Sequence, residues 1–278
     1  MKEKQNTLTI ISWILIGIDL LIVSFPLYWL FITAFKTMEE VVHRPPYFWP
    51  PSFIIDNFKS TTYGAIGAPA AILAIKDSLI VALSNSILSL FVGILAAYSI
   101  IRFRTGGDNL SFWILSNRFL PPIVFIIPLF VIFRTLHLFD TYLGLILAYC
   151  IFNIPFAVWL LMGFIQEAPK DLEEAAMIDG ASRRAALFRV TVPIIAPGIA
   201  VTFLFCFLSA WNEYIMALLL TGTKINTLPV IIPKYTTAHD VLYGQMAAAA
   251  IFGIIPAFIL SFILQKYLVR GLTVGAIK

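Results

Sequence analysis

The sequence predicts an all-α integral membrane protein with six transmembrane helices, and three observations lead there. Of its 278 residues, 60% are hydrophobic and 12% charged, about half the charge of a soluble domain. The mean hydropathy is +0.92, so too little polar surface is present to wrap a globule of this size in water. Finally, the apolar residues gather into six runs of about 20 residues or more, the length that crosses roughly 30 Å of hydrocarbon as helix. None of the runs alternates apolar and polar residues as barrel strands do. The 24 Phe, 10 Tyr and 6 Trp exclude a disordered chain. A net charge of +4 with no basic stripe argues against nucleic acid as a partner.

The first run, Leu8–Phe35, follows Lys2 and Lys4 in the manner of a secretory signal. It is too long, and no small-x-small cleavage site follows, so it is expected to stay as a span. The second run is Ser78–Ile101. The third, Leu110–Phe133, contains Arg118 and Pro121-Pro122. The fourth, Thr141–Phe164, holds Asn153-Ile154-Pro155, where a kink is expected. The fifth is Ile194–Thr221 and the sixth Met246–Leu268. With both termini in the cytoplasm, eleven Lys and Arg fall in inner segments and seven in outer ones, the bias that sets orientation. Cys150 and Cys206 fall mid-span and read as small packing residues. His43, His137 and His239 match no spaced ligand motif, so no metal or catalytic set is expected.

The connection Ile165–Pro193 holds nine charged residues, about a quarter of the chain's total. It reads as two short amphipathic helices. Asp171 caps the first, with Glu174 completing a capping box, and Pro169 lies just outside. Leu172, Ala175, Ala176 and Met177 form its apolar side. Gly180 stops it, as a C-terminal position of positive φ requires. Ser182 caps a second helix, Arg183 to Val190, which Pro193 ends. A short helix with small side chains and flanking charges fits a groove on another protein; a solvated linker has the same pattern.

Glu174-Ala175-Ala176, three residues, Gly180, nine residues and Val190-Thr191-Val192-Pro193 together resemble the EAA loop of bacterial ABC-importer permeases. Val190 and Val192 stand where that pattern has Ile and Leu. Asn57-Phe58, Asn85-Ser86, Arg118-x-x-Pro121-Pro122, Phe139-Asp140-Thr141-Tyr142-x-Gly144-Leu145-Ile146-Leu147 and Trp211-Asn212-Glu213 look like the carbohydrate-uptake branch, and within it the subunit related to the maltose-system G protein. The resemblance implies a type I importer fold: one permease domain over residues 1–278 in the bacterial inner membrane, with loop 165–193 docked in a cleft of a separate ATPase. Implied partners are an F-type second permease, two cytoplasmic ATP-binding subunits, an extracytoplasmic solute-binding protein and membrane lipid. ATP and Mg belong to the ATPase partner, and no cofactor is expected in this chain. The sequence has no G-x-x-x-x-G-K-[ST] and no Gly-Lys pair.

The same resemblance assigns coupling to Asp171, Glu173, Glu174, Ala175, Ala176, Gly180, Arg183 and Pro193, with Glu174 expected to cap the helix and offer charge to the ATPase. Arg183 and Arg184 also fit plain positive-inside bias. Asn85, Trp211, Asn212, Glu213 and Tyr214 are candidates for the substrate pathway, where aromatic faces stack on sugars and Glu213 accepts a hydroxyl. An interfacial aromatic belt with a helix-to-helix hydrogen bond fits Trp211–Tyr214 equally. Arg118 and Pro121 are gate candidates, Arg118 either snorkelling or pairing across helices. The loops Lys36–Asp77 and Thr223–Gln245 are expected to meet the solute-binding protein or simply to pack. Asp19 has no assigned role. An ion-driven secondary transporter is the alternative, but no internal repeat is visible; a membrane enzyme and a receptor fit less well. The transported sugar, oligosaccharide or polyol is not named by the sequence, and glycerol phosphate also fits.

Overall fold

The computed structural model describes residues 2–64, 69–119, 121–237 and 240–274; His239 and Lys278 lie outside them. The chain runs α1 (Lys2–Ala34), α2 (Met38–Val42), α3 (Asp56–Tyr63), α4 (Ala71–Phe103), α5 (Gly107–Ser116), α6 (Pro122–Thr135), α7 (Tyr142–Glu167), α8 (Lys170–Ile178), α9 (Arg183–Ala186), α10 (Val192–Ile194), α11 (Ala196–Trp211), α12 (Ile215–Leu220), α13 (Leu228–Ile231) and α14 (Tyr243–Val274). Among the described residues there is no strand; Thr236 and Val241 make an isolated bridge.

Among the described residues, four helices are long and apolar enough to cross a membrane: Ile11–Ala34 of α1, α4, α7 and Tyr243–Tyr267 of α14. Two expected spans are not single helices. The third breaks into Asn109–Phe119 and Ile123–Thr135, which meet at 91°. Pro121 and Pro122 donate no N–H across the junction, and Pro122 takes the first turn of α6, where that loss costs nothing. In the fifth, Arg183–Ile194 meets Ala196–Trp211 at 79°. Ile195 leaves the helical region at φ −86°, ψ 10°, and Pro197 restarts the helix in the first turn of α11. That helix then ends at Trp211. Asn212 donates its side-chain N–H back to the Leu208 carbonyl, and the Glu213 carboxylate accepts the Met216 N–H to open α12. Counting each bent pair as one span gives up to six. The α7 helix continues through Pro155 from a Thr141 side-chain cap on Gly144 N–H.

The chain divides into two units, residues 1–72 with 231–254, and 73–230 with 255–278. In the first unit, Asn57 donates to the carbonyls of Ala34 and Lys36 at 3.0 and 2.9 Å, satisfying the end of α1. Thr37 and Glu40 form a reciprocal capping box on α2, and Glu40 also accepts from Ser52 N–H and Oγ. Burial pushes the Glu40 carboxyl up, but these bonds outweigh it and hold the group below its usual range. The expected outer loop is therefore folded upon itself.

In the second unit the core is built from α4, α7 and α11. Leu90, Ala97, Ala157, Val158, Leu161, Ile165 and Cys206 are buried in it. Small residues set the spacing. A Cβ on Gly198 would lie 2.3 Å from the Phe164 ring, and one on Gly93 would lie 2.9 Å from Ala157 Cβ. Such close approach is how helices associate where lipid removes the hydrophobic drive.

Candidate functional site

The loop 165–193 folds as two helices around a glycine turn. Gly180, at φ +92°, donates to Met177 O at 3.1 Å and Ala181 N–H donates to Ala176 O at 3.0 Å. This is a complete Schellman ending, as a glycine there predicts. Ser182 Oγ accepts the Ala185 N–H at 3.2 Å, the expected cap of α9. Two expectations fail. Pro169, not Asp171, is the N-terminal flanking residue, and no side chain caps it. Lys170 opens the helix, so Asp171 sits in the first turn and Glu174 falls four residues after Lys170, pairing with it at 2.7 Å instead of closing a capping box. Nor does Pro193 end the second helix. A π-helical turn at Leu187–Thr191 lets Val192 N–H reach Leu187 O, and the chain stays helical to Ile194. The wider turn absorbs the hydrogen bond that Pro193 cannot make. The bend falls at Ile195.

The burial pattern of α8 is inverted. Glu173 is its buried residue, at 3% exposure, while Leu172 is 51% and Ile178 86% exposed. Ala175 is exposed on the Leu172–Ile178 face and Ala176 half-buried. Glu173 Oε1 accepts from Arg102 Nε at 2.8 Å and Nη2 at 2.7 Å, and Oε2 accepts from Tyr98 Oη at 3.0 Å. Arg102 Nη2 also donates to Ala168 O at 2.9 Å. Arg183 lies over the Phe103 ring at 5.0 Å. Tyr98, Arg102, Phe103, Lys170, Glu173 and Arg183 thus line one cleft between α4 and the loop. Sequence reasoning weighed Arg102 only for orientation. Its partner lies 71 residues away, and no local signal connects them.

The pathway candidates separate. Asn85 is fully buried: Nδ2 donates to Ile146 O and Cys150 Sγ, and Oδ1 accepts from Asn153 Nδ2 at 2.6 Å. It locks α4 to α7 and presents no open surface. Trp211 is 4% exposed and stacks on Phe207 at 5.6 Å. Asn212 is exposed, Glu213 half-buried and Tyr214 37% exposed. Glu213 lines a small cavity with Tyr149, Phe152, Asn153, Ser209, Ala210 and Met216. Asn153 Oδ1 is buried there without a hydrogen-bond partner, while its Nδ2 also donates to Cys206 O at 3.0 Å. Cys150 and Cys206 are free and buried around this amide node. Among the described residues no group of three or more His, Cys, Asp or Glu is placed to hold a metal.

Of the gate candidates, Arg118 lies in the 3-10 turn Asn117–Phe119 with its guanidinium 3.8 Å from the Phe156 ring centre of α7. Pro121 flanks the start of α6 in an extended conformation. Each belongs to the break in the third span.

Asp140, in the α6–α7 turn at φ +56°, holds a loop more than 80 residues away. Its Oδ1 accepts from Gly222 and Ile225 N–H, and its Oδ2 from Thr223 and Lys224 N–H, at 2.9–3.2 Å. Burial pushes this carboxyl up, and the four N–H groups more than reverse it. Asp77 continues the row, accepting Asn226 N–H at 3.0 Å and Tyr142 Oη at 2.6 Å, and Ser78 Oγ accepts Leu228 N–H at 2.7 Å.

Residues 89–274 match the family described as "binding-protein-dependent transport system inner membrane component". The chain is 35% identical over 269 residues to the trehalose transport system permease protein SugB of Mycobacterium tuberculosis, covering 94% of this chain and 96% of that one. It is 34% identical over 257 residues to the sulfoquinovosyl glycerol transport system permease protein SmoH of Agrobacterium fabrum, covering 91% and 88%. Its fold superposes with TM-score 0.78 on a chain of a bacterial ABC transporter involved in import of the acidic polysaccharide alginate, at 22% identity over 95% of this chain and 97% of that one.

Proposed function

The chain belongs to the family of inner membrane components of binding-protein-dependent transport systems, and from that premise we propose that it forms half of the translocation pathway of a carbohydrate importer. It is a membrane-spanning permease subunit of an ABC importer, a family whose ATPase activity resides in a partner subunit. In our reading the chain is one permease domain crossing the inner membrane six times with both termini in the cytoplasm. It pairs with an F-type second permease, receives substrate from a solute-binding protein, and works with two ATP-binding subunits that hold ATP and Mg. The cargo is a glycoside, oligosaccharide or polyol, in keeping with the trehalose and sulfoquinovosyl glycerol systems of its relatives.

The observation that carries the coupling role is the outward apolar face of α8. Leu172, Ala175 and Ile178 project from a helix one of whose three acidic residues, Glu173, is turned inward. An exposed apolar face beside exposed charges, here Lys170 and Glu174, is the composition of a docking surface. In that role Asp171 and Glu174 flank the face, Ala175 and Ala176 allow close approach, Gly180 sets the turn, and Arg183 and Pro193 steady the second helix. Asn212, Glu213 and Tyr214 are the pathway candidates open to a sugar; Arg118 and Pro121 sit at the break where the third span would gate.

Membrane vesicles carrying the assembled transporter test this. Uptake should require ATP and survive collapse of ion gradients, and the chain should co-purify with an ATPase and a second permease. Gly180→Asp or Ala176→Arg should leave the chain in the membrane and abolish most uptake. Uptake at the unsubstituted rate with the ATPase still bound would remove the coupling assignment.

A further inference from the structure

We propose that Arg102 and Glu173, clamped by Tyr98, are the positioning pair through which displacement of the coupling loop is passed to α4; this rests on the coupling role proposed above. Four features of the structure support it. First, Glu173 faces inward on a helix whose Leu172 and Ile178 face outward. Burial alone would favour the opposite arrangement, because a buried carboxylate is costly unless fully met. Second, Glu173 is fully met. Two Arg102 nitrogens take Oε1 and the Tyr98 hydroxyl takes Oε2. Both acidic and basic side chains are nearly sealed, at 4% and 8% exposure.

Third, Arg102 holds two segments at once. Its Nη2 reaches Ala168 O, at the end of α7, as well as Glu173 on α8. The guanidinium therefore fixes the angle between α7 and the loop that follows it, relative to α4. Fourth, an apolar contact would hold these parts together as well as an ion pair does, since buried pairs add little net stability. What the pair adds is register. A planar guanidinium with directed donors resists sliding and rotation, which packed methyl groups allow. The neighbouring Arg183–Phe103 contact at 5.0 Å closes the same cleft from α9 but lacks that directionality.

The test uses the assembled transporter in proteoliposomes and reads substrate imported per ATP hydrolysed, with ATPase subunit retained as the assembly control. Arg102→Gln and Glu173→Gln should keep the ATPase bound and hydrolysing while the ratio falls by on the order of tenfold, within the range of ordinary site-to-site coupling. Arg102→Lys should keep part of the ratio, and the reversed pair Arg102→Glu with Glu173→Arg should regain part of what either single reversal loses. Unchanged ratios in both Gln variants would overturn the proposal. Should the Gln variants not assemble, Tyr98→Phe decides, because it removes one hydroxyl and keeps the ring: a lowered ratio supports the joint, and an unchanged one overturns it. A purely structural anchor would lower the yield of complex and leave the ratio alone. Failure of the coupling role itself is distinguishable, since Gly180→Asp and Ala176→Arg would then import at the unsubstituted rate with the ATPase still bound.

Discussion

Replacing Asp140 by Asn should loosen the segment Gly222–Ile225 without unfolding the helices. The geometry sets the size. Oδ1 serves Gly222 and Ile225, and Oδ2 serves Thr223 and Lys224. In the amide one oxygen becomes an NH2, so two backbone donors lose their acceptor and face a donor instead. Hydrogen bonds to a charged group contribute about 1.5–3 kcal/mol each. Thr223 and Lys224 are exposed, so water replaces part of that loss, leaving about 2–4 kcal/mol. Amide hydrogen exchange read by mass spectrometry reports local opening directly; protection at 222–225 should fall roughly 30- to 700-fold, at 1.4 kcal/mol per tenfold. The pH dependence has a definite sign. The folded-state carboxyl lies below its ordinary value, so its contribution is complete above the unfolded pKa of about 3.9. It is lost as pH falls through the lower folded value. Protection in the native protein should therefore fall below about pH 4 and approach that of Asp140→Asn. Equal protection in the two proteins at neutral pH would refute the reasoning.

Two glycine substitutions should separate packing from propensity. Gly198→Ala places a Cβ 2.3 Å from the Phe164 ring and should cost about 1–3 kcal/mol, whereas Gly163→Ala meets nothing within 4 Å and should hold or raise Tm in detergent; equal shifts would contradict the packing account. Asn85→Leu should lower stability by about 0.6–2 kcal/mol, the range for interhelical hydrogen bonds in membranes, and leave substrate affinity unchanged, because Asn85 has no open surface. A changed affinity at unchanged Tm would return it to the pathway.

The parts legible in the sequence are those fixed by neighbours along the chain. Gly180 and Ser182 end and start helices through bonds three to five residues long, and the structure makes those bonds. Thr141 opens α7 for the same reason. Hydropathy found the apolar runs of the third and fifth spans but not their direction. A run keeps its composition whether it is straight or turned by 91° or 79°; the first turn falls at Pro121-Pro122, where no bend was expected, and the one at Ile195 lies between Pro193 and Pro197. The displaced cap at Asp171 is a two-residue error with a large consequence, since it moves Glu174 from the backbone to Lys170. Which of the adjacent acids Glu173 and Glu174 points inward depends on Arg102, and Asp140's role depends on residues 82–85 positions later. Such pairings are set by tertiary contact and leave no local trace. Trp211 illustrates the converse: the motif around it is visible, but its burial against Phe207 withdraws it from any sugar.

The polar groups along α4 change character with position, and the order has a physical cause. Asp77 and Ser78 bind the backbone of Asn226 and Leu228 at one end. Asn85 and Ser89 meet Asn153 and Cys150 partway along. Tyr98 and Arg102 hold Glu173 at the other end. From Asp77 to Arg102 a helix rises about 37 Å, more than the roughly 30 Å of hydrocarbon, so both charged groups reach the boundary regions. Between them the polar groups are neutral, as they must be where a charge costs at least about 2.5–3.5 kcal/mol and an amide can be satisfied by its neighbours. One consequence is stiffness. A helix fastened by directed bonds at both ends and at an intermediate point is poorly able to slide against its partners, so a displacement applied at Glu173 is carried along α4 to the segment that Asp77 and Ser78 hold. Asp77→Ala together with Ser78→Ala should therefore lower import per ATP in the direction that Glu173→Gln does, although the two sites are separated by the length of the helix. An unchanged ratio in that double variant would show that the displacement leaves α4 before reaching this end.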